Sequence, residues 1–185
     1  MKQDYSSKEE IFQKAKTIVY RDGLQNLSMR KLASECYLAL GTLYHYYPSK
    51  EDLVVLIMED FWNQNFNEFI SETGSSDFIS TFEKFYDLAN KSYKMFEKSF
   101  AKKRVDGAKT LLLKGKAREE DFIKMLCGYL VKAALRDERV NKEVFDDKFT
   151  IDEFVSTVMN ILLLSLVNND NKKEFLTTLI TKMMY

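Results

Sequence analysis

LSMRKLASECYLALGTLYHYYPSKED, residues 27–52, reads as two short amphipathic helices about a tight turn, followed by the start of a third. Ser28 is a hydroxyl residue of the kind that caps orphan N–H groups at a helix start. Met29, Leu32, Ala33 and Cys36 then share one apolar face. The second helix occupies roughly 39–47, and Pro48 closes it because the residue before a proline is biased away from helix. Ser49 caps the next helix, with Glu51 and Asp52 favoured at its positive N-terminal end. Two helices joined in this way have the layout of a helix-turn-helix, whose second helix enters the major groove of DNA.

The flanks extend the helical pattern. Upstream, Ser6 or Ser7 caps a helix whose stripe is Ile11, Ala15, Ile18 and Val19, and Gly23 ends it. Downstream, a long helix runs to about residue 72, and Gly74-Ser75-Ser76 reads as a linker. Phe78, Phe82, Phe85, Ala89, Tyr93, Phe96 and Phe100 keep a helical period. Further helices are expected at about 103–117, 119–137, 150–168 and 171–184. No segment shows strand-type alternation, and the 185 residues hold one Pro and six Gly. The fold class is therefore all-α, with about nine helices: a three-helix head over 1–48 and a larger helical body over 49–185.

Charge and composition narrow the function. The net charge is zero, but residues 1–50 carry eight Lys/Arg against five Asp/Glu, leaving 20 basic and 23 acidic residues elsewhere. A mildly basic head on a mildly acidic body suits a DNA-contacting end. Cys36 and Cys127 lie far apart without metal-ligand spacing and read as small buried hydrophobes in a reducing cytoplasm. The start, MKQDYSSKEE, has no apolar core, so no secretory signal is expected. The longest apolar run, Val155 to Val167, is too short to span a bilayer, so a soluble cytoplasmic protein is expected. The single His, His45, sits in the expected recognition helix. No phosphate loop, nucleophile elbow, metal helix or Cys cluster appears, so neither catalysis nor a metal or cofactor is expected.

Leu27 to Ala33, together with Gly41-Thr42-Leu43-Tyr44-His45-Tyr46-Tyr47-Pro48-Ser49-Lys50-Glu51-Asp52-Leu53, strongly resembles the N-terminal domain of the tetracycline-repressor (TetR) family of bacterial transcription regulators. The resemblance covers about residues 8–60. It implies a DNA-facing set of Ser28, Met29, Arg30, Ala39, Leu40, Gly41, Thr42, Tyr44, His45, Tyr46 and Lys50. Arg30 would reach a phosphate or guanine edge. Leu40, Gly41 and Thr42 would open the recognition helix, Tyr44 would bond a phosphate, and His45 or Tyr46 would touch backbone or a base edge. Lys50 would pair with a phosphate at a helix N-terminus. Leu32, Leu43 and Tyr47 would be core.

The sequence departs from the family at two places. The turn usually holds a Gly with positive φ, where this chain has Tyr37, so either the turn differs or the strain is tolerated. Ala39 and Leu40 stand where the family often has a Ser and a polar or basic residue.

In TetR-like proteins the helices of the body enclose a pocket for a small, usually apolar or aromatic effector. Tyr86, Tyr93, Phe96, Phe100, Phe122, Met125 and Tyr129 are the candidates here, with ordinary core packing as the alternative for each. Lys98 to Arg118 holds eight Lys/Arg and one acid. It reads as a solvated face, a second basic surface turned toward DNA, or an anchor for an anionic effector. The penultimate helix is apolar nearly all round and must be covered on both sides, most simply by a two-fold mate. The resemblance points the same way, to a homodimer through the last two helices on a palindromic double-stranded operator. The implied activity is effector-gated regulation, most often repression. The other reading is a TetR-like architectural or protein-interaction factor without a small-molecule effector.

Leu40 cannot hydrogen-bond a base edge but can pack on a thymine methyl. A thymine is therefore expected opposite Leu40 in each half-site. Replacing that thymine by uracil removes one methyl and should weaken binding about fourfold; undiminished affinity contradicts the contact.

Overall fold

The computed structural model describes residues 7–72, 77–100 and 108–185, with side chains at 72 and 108–119 excluded. Eight α-helices follow one another: α1 (Lys8–Asp22), α2 (Met29–Glu35), α3 (Leu40–Tyr46), α4 (Lys50–Glu72), α5 (Phe78–Phe100), α6 (Ala108–Arg136), α7 (Ile151–Val167) and α8 (Lys173–Met184). Single 3₁₀ turns lie at Leu24–Asn26 and Lys142–Val144. The described residues thus hold one helix fewer than the nine expected. The helices expected at 103–117 and 119–137 are one continuous helix, α6. Lys116-Ala117-Arg118-Glu119 contains only good helix formers and no cap, while Gly115 lowers propensity without ending the helix. The linker expected at 74–76 lies outside the described residues.

Helix boundaries follow local chemistry. Ser7 and Glu10 form a reciprocal capping box at α1, and Thr150 and Glu153 form another at α7. Ser49 Oγ accepts from the Asp52 N–H at 3.0 Å and donates to the Asp52 carboxylate at 2.6 Å, fixing the start of α4. Gly23 ends α1 at φ 87°, a value that favours glycine.

The described residues group into two compact units, those within 1–64 and 94–118, and those within 65–93 and 119–185. In the first, Ile11, Ile18, Leu24, Leu27, Leu32, Leu43, Leu53 and Ile57 are fully or almost fully buried. Phe61, Phe96 and Phe100 extend this cluster, with Phe96 and Phe100 stacked at 4.8 Å between ring centroids. Lys16 is also buried, where its ammonium pairs with the Asp60 carboxylate of α4 and lies over the Phe12 ring. Burial and the nearby Asp60 charge push the Tyr20 phenol up to about 12.

The second unit packs Phe69, Phe78, Phe82 and Phe85 against Leu126, Leu130, Ala134, Val158, Met159, Leu162, Leu176 and Ile180. Asp137, just past α6, ties its ends together. Its carboxylate is 4% exposed and accepts from the Phe78 N–H at 2.9 Å, the Tyr185 hydroxyl at 2.6 Å and the Arg139 guanidinium at 2.9 Å. Arg139 also lies over the Tyr185 ring at 5.5 Å and reaches Asp77 at 3.2 Å. The Arg139 hydrogen bonds, followed by those from Tyr185 and Phe78, hold the Asp137 carboxyl far below the usual carboxylate range.

A carboxyl lowered on folding stabilises above its ordinary pKa and loses that contribution as the pH falls. Asp137→Asn should cost about 2 kcal/mol near neutral pH, or about 4–8 °C in Tm. In thermal melts the gap to wild type should hold from pH 6 to 8 and narrow below about pH 4. A gap absent at pH 7, or undiminished at pH 3, contradicts this assignment.

Candidate nucleic-acid interface

Ser28 caps α2 by accepting from the Lys31 N–H at 3.1 Å, and this sets the register of the helix. Met29, Leu32 and Ala33 consequently point into the core and Arg30 points out. Met29, expected among the DNA-facing residues, is 6% exposed. Its side chain is held inside because the position after the cap begins the apolar stripe that continues at Leu32 and Ala33. Lys31 is drawn aside by Asp22 of α1 at 3.5 Å, which leaves Arg30 as the outward cation of this turn.

The turn after α2 takes the strained form. Tyr37 has φ 55°, with its N–H donating to Ser34 O at 3.2 Å, while the Leu38 N–H donates to Ala33 O at 2.9 Å. These two bonds make a Schellman C-cap, normally closed by Gly. Placing a side chain there costs about 1–2 kcal/mol. The ring gains nothing from packing, since Tyr37 is 93% exposed. Asn169 closes α7 in the same way at φ 51°, with a residue better suited to that conformation.

The seven-residue α3 begins at Ala39, which supplies no side-chain cap. Leu43 is fully buried and Tyr47, just past the helix, is almost so; the Tyr47 hydroxyl donates to Lys8 O at 2.9 Å. With that side anchored, Ala39, Gly41, Tyr44 and His45 are exposed. Leu40, Thr42 and Tyr46 are half-buried, and Leu40 and Tyr46 pack against the head core. A Cβ placed on Gly41 would meet nothing within 4 Å, so no neighbour among the described residues demands glycine there. The open site instead permits close approach of an outside group to the backbone. Lys50, half-buried, starts α4 beside the Ser49 cap. The face so formed carries a guanidinium, two phenols, an imidazole and an exposed backbone, a mixture suited to phosphates and base edges.

The expected effector residues divide between the two units. Phe96 and Phe100 pack in the first, with Phe61, Trp62 and Tyr20. Tyr86 is buried in the second, where its hydroxyl accepts from the Lys172 N–H at 2.9 Å and lies 3.4 Å from the Ser165 hydroxyl. Tyr93, Phe122 and Tyr129 are half-buried on the same core, Phe122 and Tyr129 edge-on to Phe66, and Tyr129 also edge-on to Phe69. Met125 is exposed. A groove of roughly 460 Å³ lies elsewhere in this unit, lined by Glu83 of α5 and by Lys173, Thr177, Thr178, Thr181 and Lys182 of α8. Of the basic stretch, Lys98 is exposed, whereas 102–104 and the side chains at 109–118 lie outside the described residues. Among the described residues no three His, Cys, Asp or Glu gather as metal ligands, and no helix is long and apolar enough to cross a membrane.

Two polar constellations escaped the sequence reading. The Lys16–Asp60 pair joins residues 44 positions apart, and the Asp137–Arg139–Tyr185 cluster joins the end of α6 to residue 185. The short Asp137-x-Arg139 spacing was the one visible signal of the latter.

The described residues are helical and begin with a packed helix-turn-helix, an arrangement that recurs among DNA-binding proteins. Residues 11–57 match the model of the family described as "Bacterial regulatory proteins, tetR family". An uncharacterized HTH-type transcriptional regulator of Haemophilus influenzae (strain ATCC 51907 / DSM 11121 / KW20 / Rd) is 38% identical over 73 residues, covering 40% of this chain and 36% of that protein. The match thus spans about a third of the relative's length. The fold is similar to a transcriptional regulator from Cytophaga hutchinsonii ATCC 33406, at 18% identity and TM-score 0.69 over 95% of this chain and 93% of that one. It is also similar to a TetR transcriptional regulator from Legionella pneumophila, at 16% identity and TM-score 0.56 over 99% and 100%. The N-terminal segment is thus similar to the tetR family of bacterial regulatory proteins, and the solved structures share the fold of the described residues.

Proposed function

We propose that this protein is a cytoplasmic, non-enzymatic transcription regulator that binds a palindromic DNA operator as a homodimer. Residues 1–48 form the DNA-contacting domain and 49–185 the effector-binding and dimerisation domain. The observation that carries the reading is α3 itself, anchored by Leu43 and Tyr47 on one side and presenting Gly41, Tyr44 and His45 on the other. Arg30 and Lys50 supply phosphate contacts, and the α3 side chains supply base contacts.

The dimer forms through α7 and α8. Leu164, Val167 and Phe175 are 61%, 64% and 57% exposed, and Met183 joins them. Large apolar side chains gathered on two consecutive helices favour a self-complementary contact with a second copy. Two copies would then present their recognition helices about one DNA turn apart, ~34–36 Å.

In this reading the protein is a repressor, released when a small apolar or aromatic effector binds among Tyr93, Phe122, Tyr129 and their neighbours. Release requires the effector to favour one conformation, typically by about 1–3 kcal/mol. The second reading, a factor without an effector, is favoured by the edge-on packing of Phe66, Phe69, Phe85 and Tyr129 and by the satisfied Tyr86 hydroxyl. Ligand-dependent loss of operator binding separates the two.

Genomic fragments selected on the wild-type protein provide the duplex for the test. Arg30→Gln should weaken binding and lower the slope of log affinity against log salt by about one, as loss of one phosphate contact requires. Leu164→Glu with Phe175→Glu should yield monomers and reduce operator affinity at least about tenfold, read by sedimentation and fluorescence anisotropy. Wild-type protein that selects no fragment, or a double variant that remains dimeric, contradicts the proposal.

A further inference from the structure

Tyr37 is unexplained by the chain's own structure. It occupies a left-handed backbone position where glycine would be relaxed, and its ring stands almost wholly in solvent. Strain held at one position points to a role there when the surroundings enforce it, and here they do. The Ser34 and Ala33 carbonyls hold the turn through the Tyr37 and Leu38 N–H groups, and Leu38 packs on the head core. The phenol is therefore presented outward from a fixed backbone.

Its place in the chain fits one partner. Tyr37 lies two residues before Ala39, the N-cap of α3, at the end that enters the groove. Arg30, Ser34 and Tyr37 are all exposed, and their spacing of four and three continues one line along the outside of α2 into the turn. A phenol suits the rim of a groove, because its hydroxyl donates to a phosphate oxygen without bringing a charge that must be neutralised.

Resting on the DNA-binding reading above, we propose that Tyr37 is an additional DNA-contacting residue, donating a hydrogen bond from its hydroxyl to a backbone phosphate beside the recognition helix. The exposed ring and the strained turn then have a common purpose in the complex. The contact positions the protein on the duplex and carries no sequence information.

Two variants separate contact from strain. Tyr37→Phe keeps the turn and removes the hydroxyl; its Tm should match wild type while its affinity for the selected duplex falls about tenfold. Tyr37→Gly relaxes the turn, so its Tm should rise by a few degrees while its affinity falls by at least as much. A more stable but weaker-binding protein is an outcome that strain alone does not produce. Wild-type affinity in Tyr37→Phe overturns the proposal, as does Tyr37→Gly binding as tightly as wild type. A variant whose dimerisation alone is weakened, with unchanged affinity at equal dimer concentration, overturns it too. Arg30→Gln serves as the control: if it weakens binding while both Tyr37 variants bind normally, only the Tyr37 contact falls. If wild-type protein binds no duplex, the DNA-binding reading itself fails.

Discussion

The burial of Leu43 and Tyr47 is the constraint on which the rest depends. A seven-residue helix without a capping side chain is not stable by itself in water. α3 exists because Leu43 is fully enclosed, and because Tyr47 is enclosed with its hydroxyl bonded to Lys8 O. That attachment fixes both where the helix lies and which side faces out. Gly41, Tyr44 and His45 are exposed as a consequence, since a 3.6-residue period puts Gly41 and His45 opposite the anchored side and Tyr44 on its flank. The Schellman turn at Tyr37 sets the angle of entry, and the Ser49–Asp52 cap starts α4 immediately behind.

Local features were the legible ones. Ser28, Ser49 and Gly23 mark helix ends because their chemistry acts within four residues, and the apolar stripes of α1 and α2 follow from spacing alone. The positive φ at Tyr37 was foreseen only as one of two alternatives, since the family comparison left open whether the turn would change. Met29 shows a limit of residue-by-residue transfer, because a position adjacent to the proposed DNA contacts is still turned inward when the cap sets the register. Lys16 shows another. A lysine beside an apolar stripe reads as solvent-facing, and it is buried only because Asp60 of α4 meets it. A partly buried pair of this kind adds little net stability, because desolvation offsets much of the attraction.

The body was harder to read for the same physical reason. Aromatic side chains at helical spacing are common to cores and pockets, so sequence leaves open which neighbours each ring will find. Phe96 and Phe100 join the rings of α1 and α4, while Tyr129 and Phe122 gather around Phe66. The apolar excess of α7 was visible as a helix without a polar side, and its outward Leu164 and Val167 now give that excess a location. Asp137 organises the unit from one nearly buried carboxylate, and only the fold brings Tyr185 and the Phe78 N–H to it.

The central claim is that two copies lay α3 into successive major grooves. Hydroxyl-radical footprinting on a duplex selected by the wild-type protein tests it most directly. The account predicts two protected patches related by a two-fold axis, with centres about one helical turn apart, near 10 base pairs. A single unpaired patch, or cleavage unchanged by saturating protein, would contradict it.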